Sequence, residues 1–296
     1  FYAEMGGQVG DKGKLTCGDE VIEIFDTKRE NNLPIHLSKK LPSDVTETFH
    51  AAIDSKARRA IAANHTATHL LHEALREVLG THVEQKGSYV DAKMLRFDFS
   101  HFQKMTQEEI RKVERLANEK VRMAIPRDER RNMPIADARA LGAMALFGEK
   151  YGDSVRVIKY GSSIELCGGT HVANTGNIGL IKIVSESSIA AGIRRIEAIT
   201  GENVQDAIYS IEDTLGKVRE LLNNTPNVLV ALQKSIAENA SLRKQAEEYM
   251  HERVKNLAKQ VITDAVELGN VKIAYLAGPC LAEVVKGVAI EIKASV

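Results

Sequence analysis

Asn64-His65-Thr66-Ala67-Thr68-His69-Leu70-Leu71-His72 stands in the middle of a run, Asp54 to Gly80, whose interior contains neither Gly nor Pro. Asp54 is a ready N-cap, Gly80 a stop, and Ile61, Leu71, Ala74, Leu75 and Val78 recur at helical spacing, so the run predicts one amphipathic helix. Residues four apart on a helix share a face with side chains roughly 6 Å apart, which lets the imidazoles of His65 and His69 reach one metal ion. His72, three residues further, shares that face. With nine histidines in the chain such a pair arises by chance in roughly one chain of four, so it needs a second half to mean anything.

A second half follows 98 residues after His69, in Glu165-Leu166-Cys167-Gly168-Gly169-Thr170-His171. A thiolate and an imidazole separated by a Gly-Gly turn can fold back onto one ion, because glycine permits the tight backbone this needs. Three imidazoles and one thiolate suit zinc far better than magnesium or calcium. The blander alternative makes Cys167 a small buried hydrophobe and His171 a hydrogen-bonded loop residue. A zinc protease is excluded, since its HExxH motif has a general-base Glu where Thr66 stands here. Gly6-Gly7-Gln8-Val9-Gly10 lacks the Lys-Ser or Lys-Thr of a phosphate-binding loop, so ATP chemistry is not visible either.

Outward from the central helix, residues 1–53 read as short strands between turns, with Val21, Ile22, Ile24 and Phe25 as a β-rich run and Pro34 and Pro42 barring a helix. Tyr89, Leu95, Phe97 and Phe99 alternate like strands. Thr106 to Ala124 reads as a second helix, opened by the Thr106/Glu109 capping box and ended by Pro126. A third helix is expected around Ile135 to Met144, then a β-rich block from Val155 to Ile199. Residues 1–201 thus form an α+β body of mixed strands and helices. From Glu202 the chain turns rich in Ala, Glu, Lys, Gln and Leu: Leu229, Leu232 and Ile236, then Met250, Val254, Leu257 and Val261, step by three and four like the seam of a helical hairpin or coiled coil over 202–268, an arm suited to packing or dimerisation. Residues 269–296 start a further strand-and-helix segment.

The chain has 296 residues, 44% hydrophobic and 27% charged, with 40 Lys plus Arg against 40 Asp plus Glu. That is a globular composition, and any attraction to nucleic acid must come from a local patch. No apolar stretch approaches the roughly 20 residues of a membrane span. Cys17, Cys167 and Cys280 are too few for a disulfide framework, which points to a reducing, cytoplasmic setting. Cys17 and Cys280 read as ordinary thiols. The charges of Arg111, Lys112, Arg115, Lys120 and Arg122, mixed with Glu108, Glu109, Glu114 and Glu119, read as a solvated helix face. An opening at Phe1 rather than Met suggests a fragment.

Five phrases carry a resemblance: Ala3-Glu4-Met5-Gly6-Gly7-Gln8-Val9-Gly10-Asp11, Asn64-His65-Thr66-Ala67-Thr68-His69-Leu70-Leu71, Gly80-Thr81-His82-Val83-Glu84-Gln85-Lys86-Gly87-Ser88, Cys167-Gly168-Gly169-Thr170-His171 and Gly192-Ile193-Arg194-Arg195-Ile196-Glu197-Ala198-Ile199-Thr200-Gly201. In this order they resemble the editing region of alanyl-tRNA synthetases, through residues 1–201, with the helical arm fitting the family's next segment. Met5 departs from it, the family usually having a small residue there. The resemblance implies the fold of the threonyl/alanyl-tRNA synthetase second additional domain and hydrolysis of serine or glycine from mischarged tRNA for alanine. It implies Zn2+ held by His65, His69, Cys167 and His171, with His72 a neighbour only. Gln85 would line the editing pocket, and Arg194 would lie beside it, both serving catalysis; Arg194 and Arg195 could pair with phosphates or ribose of the tRNA 3′ end. An aminoacylation domain of the same chain would be missing. Two rivals are a free-standing trans-editing deacylase, against which the long arm argues, and a non-catalytic zinc-stabilised tRNA-binding or dimerisation module.

Overall fold

A computed structural model describes residues 1–144, 152–279 and 281–295; Cys280, read as an ordinary thiol, lies outside the described residues. The chain divides into two compact units, Phe1–Ser210 and Ile211–Val296.

The first unit opens with β1 (Gly13–Cys17), β2 (Glu20–Glu30), β3 (Leu33–Ser38) and β4 (His50–Ile53), an antiparallel sheet in the order β3-β2-β1-β4. Pro34, which cannot donate to a ladder, sits on the edge strand β3. Helix α1 (Ser55–Leu79) follows with the predicted ends: the Asp54 carboxylate accepts from the Ala57 N–H at 2.9 Å, and the Gly80 N–H donates to Arg76 O at 3.0 Å. Its middle is not amphipathic toward solvent. Asn64, His65, Thr66, Thr68, His69 and His72 are buried together with Ala67, Leu70 and Leu71, so the helix runs through the interior and its polar side faces other protein.

Next come β5 (Gln85–Val90), β6 (Leu95–Ser100) and α2 (Gln107–Arg122), whose capping box is formed as expected. Then follow β7 (Asp128–Pro134), α3 (Ile135–Ala140), β8 (Ser154–Tyr160), β9 (Ser163–Leu166), β10 (Ile181–Ala190) and β11 (Ile193–Thr200). Helix α3 stops four residues before Met144, because Gly142 turns the chain at φ +80°. Strands β10-β11-β6-β5 make one antiparallel sheet and β7-β8-β9 another. Leu70, Leu71 and Leu75 of α1 and Val113 and Ala117 of α2 pack with Phe97, Phe99 and Ile196 of the larger sheet in one core. The α+β expectation for this body holds.

Helix α4 (Glu202–Leu221) crosses the division between the units. The second unit contains α5 (Val228–Thr263), the two-stranded β12 (Val266–Leu268) and β13 (Val271–Ile273), and α6 (Ala282–Ser295). Only half of the expected seam is buried. Val254 and Ala258 pack on Val284 and Val288 of α6, flanked by Met250 and Leu257, whereas Leu229, Leu232 and Ile236 are exposed. The hairpin therefore closes between the end of α5 and α6, a helix that sequence reading left outside the arm. Gly287 permits the approach, since a Cβ there would lie 2.9 Å from a Val254 methyl.

Candidate metal centre

Helix α1 is unbroken through its buried middle, so His65 and His69 stand one turn apart, their ring centroids separated by 5.4 Å. Strand β9 delivers Cys167 at its end, and the Gly168-Gly169 turn returns His171 to within 4.5 and 4.6 Å of those two rings. The turn is possible only without side chains, as a Cβ on Gly169 would stand 2.0 Å from the His65 ring. Cys167 Sγ lies 3.4 Å from His65 Nε2 and 3.2 Å from His171 Nε2. The four ligand atoms all fall within 4.8 Å of one another, so these residues can hold a metal ion. His72 is outside the group, as expected.

Hydrogen bonds behind the cluster decide which ring nitrogens face it. The Thr170 N–H donates to Gln8 Oε1 at 2.8 Å, which fixes the Gln8 amide, and the same oxygen lies 2.6 Å from His65 Nδ1. His65 Nδ1 must then carry the proton, leaving the Nε2 lone pair toward Cys167. Thr66 does the same for His171. Its hydroxyl donates to Ala62 O at 2.9 Å and so accepts from His171 Nδ1 at 3.0 Å, freeing Nε2. Gln8 and Thr66 are both fully buried. His69 Nε2 is 3.3 Å from Glu165 Oε2, and its Nδ1 is buried with no hydrogen-bond partner among the described residues. One cysteine sulfur, two oriented imidazoles and a third imidazole with an unpartnered nitrogen are a donor set that fits zinc.

Electrostatics agree with ligation. Burial first, and then the neighbouring imidazoles, push His65 down to about 3 and His171 well below the ordinary imidazole range; burial also lowers His69. Neutral rings are the form a metal takes. Burial would raise Glu165, but its contacts with His69 and His72 lower it, so it stands as a buried carboxylate between two histidines.

A cavity of about 280 Å³ opens on this cluster, lined by His65, His69 and Cys167 together with Gln85, Ser88, Thr68 and Glu165. Gln85 donates to Ser88 Oγ at 3.2 Å. Met5 also lines the cavity, its methyl where a Cβ on Gly168 would fall, so the larger residue is accommodated against a glycine. Arg194 does not line the cavity. Its guanidinium, largely buried, binds Glu186 at 2.5 and 2.6 Å, and Arg195 is locked bidentately onto Asp98 at 2.6 and 2.8 Å. Of the expected site residues, Gln85 thus borders the cavity and Arg194 pairs with a carboxylate on β10, toward which alternation along β11 turns it. Sequence reading missed Gln8, Thr66 and Glu165 as partners of the ligands, although each lies inside a quoted motif.

The family described as "Threonyl and Alanyl tRNA synthetase second additional domain" matches residues 155–197, the stretch that carries Cys167 and His171. Along 99% of its length the chain is 59% identical to an alanine--tRNA ligase of Parabacteroides distasonis, covering 34% of that protein. It is 56% identical over its whole length to one from Bacteroides fragilis, covering 34%, and 57% identical over 99% to one from Porphyromonas gingivalis, covering 33%. The chain is thus homologous to alanine--tRNA ligases and spans about a third of the length of the curated relatives it matches. No helix among the described residues is long and apolar enough to cross a membrane.

Proposed function

We propose that this chain, as the part of an alanine--tRNA ligase that it resembles, hydrolyses the ester joining serine or glycine to tRNA for alanine. The observation that carries this reading is the convergence of His65, His69, Cys167 and His171 beside a cavity that Gln85 borders. Serine differs from alanine by a hydroxyl and glycine by a methyl, too little for one binding pocket to reject by the factor required, so a second, hydrolytic sieve is the remedy.

His65, His69, Cys167 and His171 would hold zinc, which when bound polarises a carbonyl or lowers the pKa of water. The rest of the work falls to the chain's own residues. Gln8 and Thr66 fix the tautomers of two ligands; Glu165 faces the third. Gln85 offers an amide donor and acceptor that can take a seryl hydroxyl or orient the attacking water. Arg194 acts at most through the sheet, by its pairing with Glu186. Residues 1–201 form the editing domain in this reading, 202–268 the arm, and charging with alanine belongs to the part of the relatives that the chain does not span. Dimerisation through the arm is a further element of the proposal.

Seryl- and glycyl-tRNA for alanine are the test substrates. The zinc-loaded protein is expected to release free amino acid and to show no alanine-dependent ATP–pyrophosphate exchange. Zinc-loaded protein that leaves both esters intact would reduce the chain to a binding module.

A further inference from the structure

The Gly168-Gly169 turn has two sides. One faces the cavity just described; the other opens into a groove of about 690 Å³ that shares Ser154, Val155, Arg156, Gly168 and Gly169 with it. Five arginines, Arg58, Arg59, Arg127, Arg131 and Arg156, line this groove, and Glu129 is the one carboxylate among its described lining residues. Glu129 is shared three ways, 2.6 Å from Arg131, 2.9 Å from Arg156 and 3.4 Å from Arg127. Arg58 is taken by buried Asp11. Arg59 also borders a second cavity that carries Asp54, Glu202 and Asp206, so the excess is set by Arg127, Arg131 and Arg156 sharing the single carboxylate of Glu129, a local positive excess of two in a chain whose net charge is zero. Arg194 and Arg195 differ in this respect: each has its own carboxylate and no charge to spare.

We infer that this groove holds the phosphate backbone of the RNA strand whose 3′ end enters the cavity. The inference rests on the hydrolytic reading for the direction of the strand, since an ester at an RNA terminus requires the preceding nucleotides to leave the cavity along an adjoining surface. Guanidinium forks bind phosphate oxygens bidentately, and it is the groove's continuity with the cavity through Ser154, Val155, Arg156, Gly168 and Gly169 that favours an RNA strand over an acidic peptide. Arg156 links the two sides: it donates to Cys167 O at 2.9 Å and Gly169 O at 2.6 Å while bound to Glu129, so a strand in the groove would press on the turn that carries the metal ligands.

The test uses the full chain and an uncharged, 5′-labelled RNA hairpin with a single-stranded 3′ end, with fluorescence anisotropy read between about 50 and 200 mM salt. Arg59→Gln and Arg131→Gln alter exposed side chains, and melting temperatures measured alongside confirm that each variant is folded at the assay temperature. Each is expected to weaken binding several-fold and to lower the slope of log affinity against log salt by about 0.7, the value for one phosphate contact on a single strand. Glu129→Gln is expected to tighten binding. Lys182→Gln, which breaks an ion pair with Glu114 outside the groove, should change nothing. Groove variants that behave like Lys182→Gln, or polyglutamate that competes as well as RNA, would overturn the inference. Deacylation separates the two proposals: groove-dependent binding without hydrolysis by the zinc-loaded protein sinks the hydrolytic reading alone, whereas undiminished hydrolysis by the Arg59→Gln/Arg131→Gln double variant sinks the groove alone.

Discussion

Thr66 occupies the position at which a zinc protease would place its general base, and here its hydroxyl instead accepts a hydrogen bond from His171 Nδ1. Thr66→Val keeps the shape and removes that acceptor. Zinc affinity should fall by about 10- to 100-fold, as is usual when the partner behind a ligand is lost, with titration against a competing chelator as the readout; unchanged affinity would show that the tautomer is set by something else. Gly169→Ala acts on the same centre by sterics. A methyl 2.0 Å from the His65 ring must displace the ring or the turn, so both metal content and stability should drop, the latter by about 1–3 kcal/mol. Glu129 supplies a pH signature away from the ligands. Arg156, then Arg131, hold its carboxyl at about 2, against an ordinary 4.5. A lowered pKa stabilises the fold above the ordinary value and ceases to do so as pH falls toward the folded one. The difference in melting temperature between wild type and Glu129→Gln should therefore be full above about pH 4.5 and shrink as the pH approaches 2; a difference independent of pH would remove the ion pairs from the account.

At the scale of elements, α1 shows what a pattern of residues can and cannot convey. Its ends were legible because caps are local: one carboxylate three residues from an N–H, one glycine past the last turn. The grouping of His65, His69, Cys167 and His171 was legible for a similar reason, since i,i+4 spacing and a glycine turn are both short-range. The burial of its polar side was not, because that depends on strands roughly 100 residues away closing over it. The same limit hid Gln8, whose partners are 57 and 162 residues distant, and the pairing of Arg194 with Glu186, which depends on which strand pairs with β11. In the second unit, heptad-like steps on α5 promised a continuous seam, yet a seam is buried only where a second helix arrives, and α6 reaches no further than the Met250–Val261 half. Gly287→Leu should accordingly push α6 off Val254, destabilising that hairpin by about 1–3 kcal/mol while leaving zinc content unchanged; calorimetry and metal analysis on the same sample would show whether the two units respond separately.

Across the whole molecule, the His65/His69/Cys167/His171 cluster ties the N-terminal loop at Gln8, the central helix and the Cys167–His171 turn into one arrangement that an unfolded chain lacks. An ion bound only by the folded state adds RT ln(1 + [L]/Kd), about 4 kcal/mol at a thousandfold excess over Kd, so chelation should lower the melting temperature by several degrees. The cavity then distinguishes holding the ion from using it. His65, His69 and Cys167 line it, His171 does not, and Gln85 lines it without belonging to the ligand group. In the proposed reading a substrate in the cavity would meet the cluster without touching His171. His171→Ala should consequently lose zinc, melting temperature and ester hydrolysis in step, whereas Gln85→Ala should keep zinc and melting temperature and lose kcat/KM, more for the seryl ester than for the glycyl one because only serine has a hydroxyl for the amide to hold. Metal analysis, calorimetry and deacylation on the two variants decide the matter: full zinc with lost hydrolysis in His171→Ala would place that imidazole on the substrate, and an unaltered Gln85→Ala would leave the cavity without its selecting group.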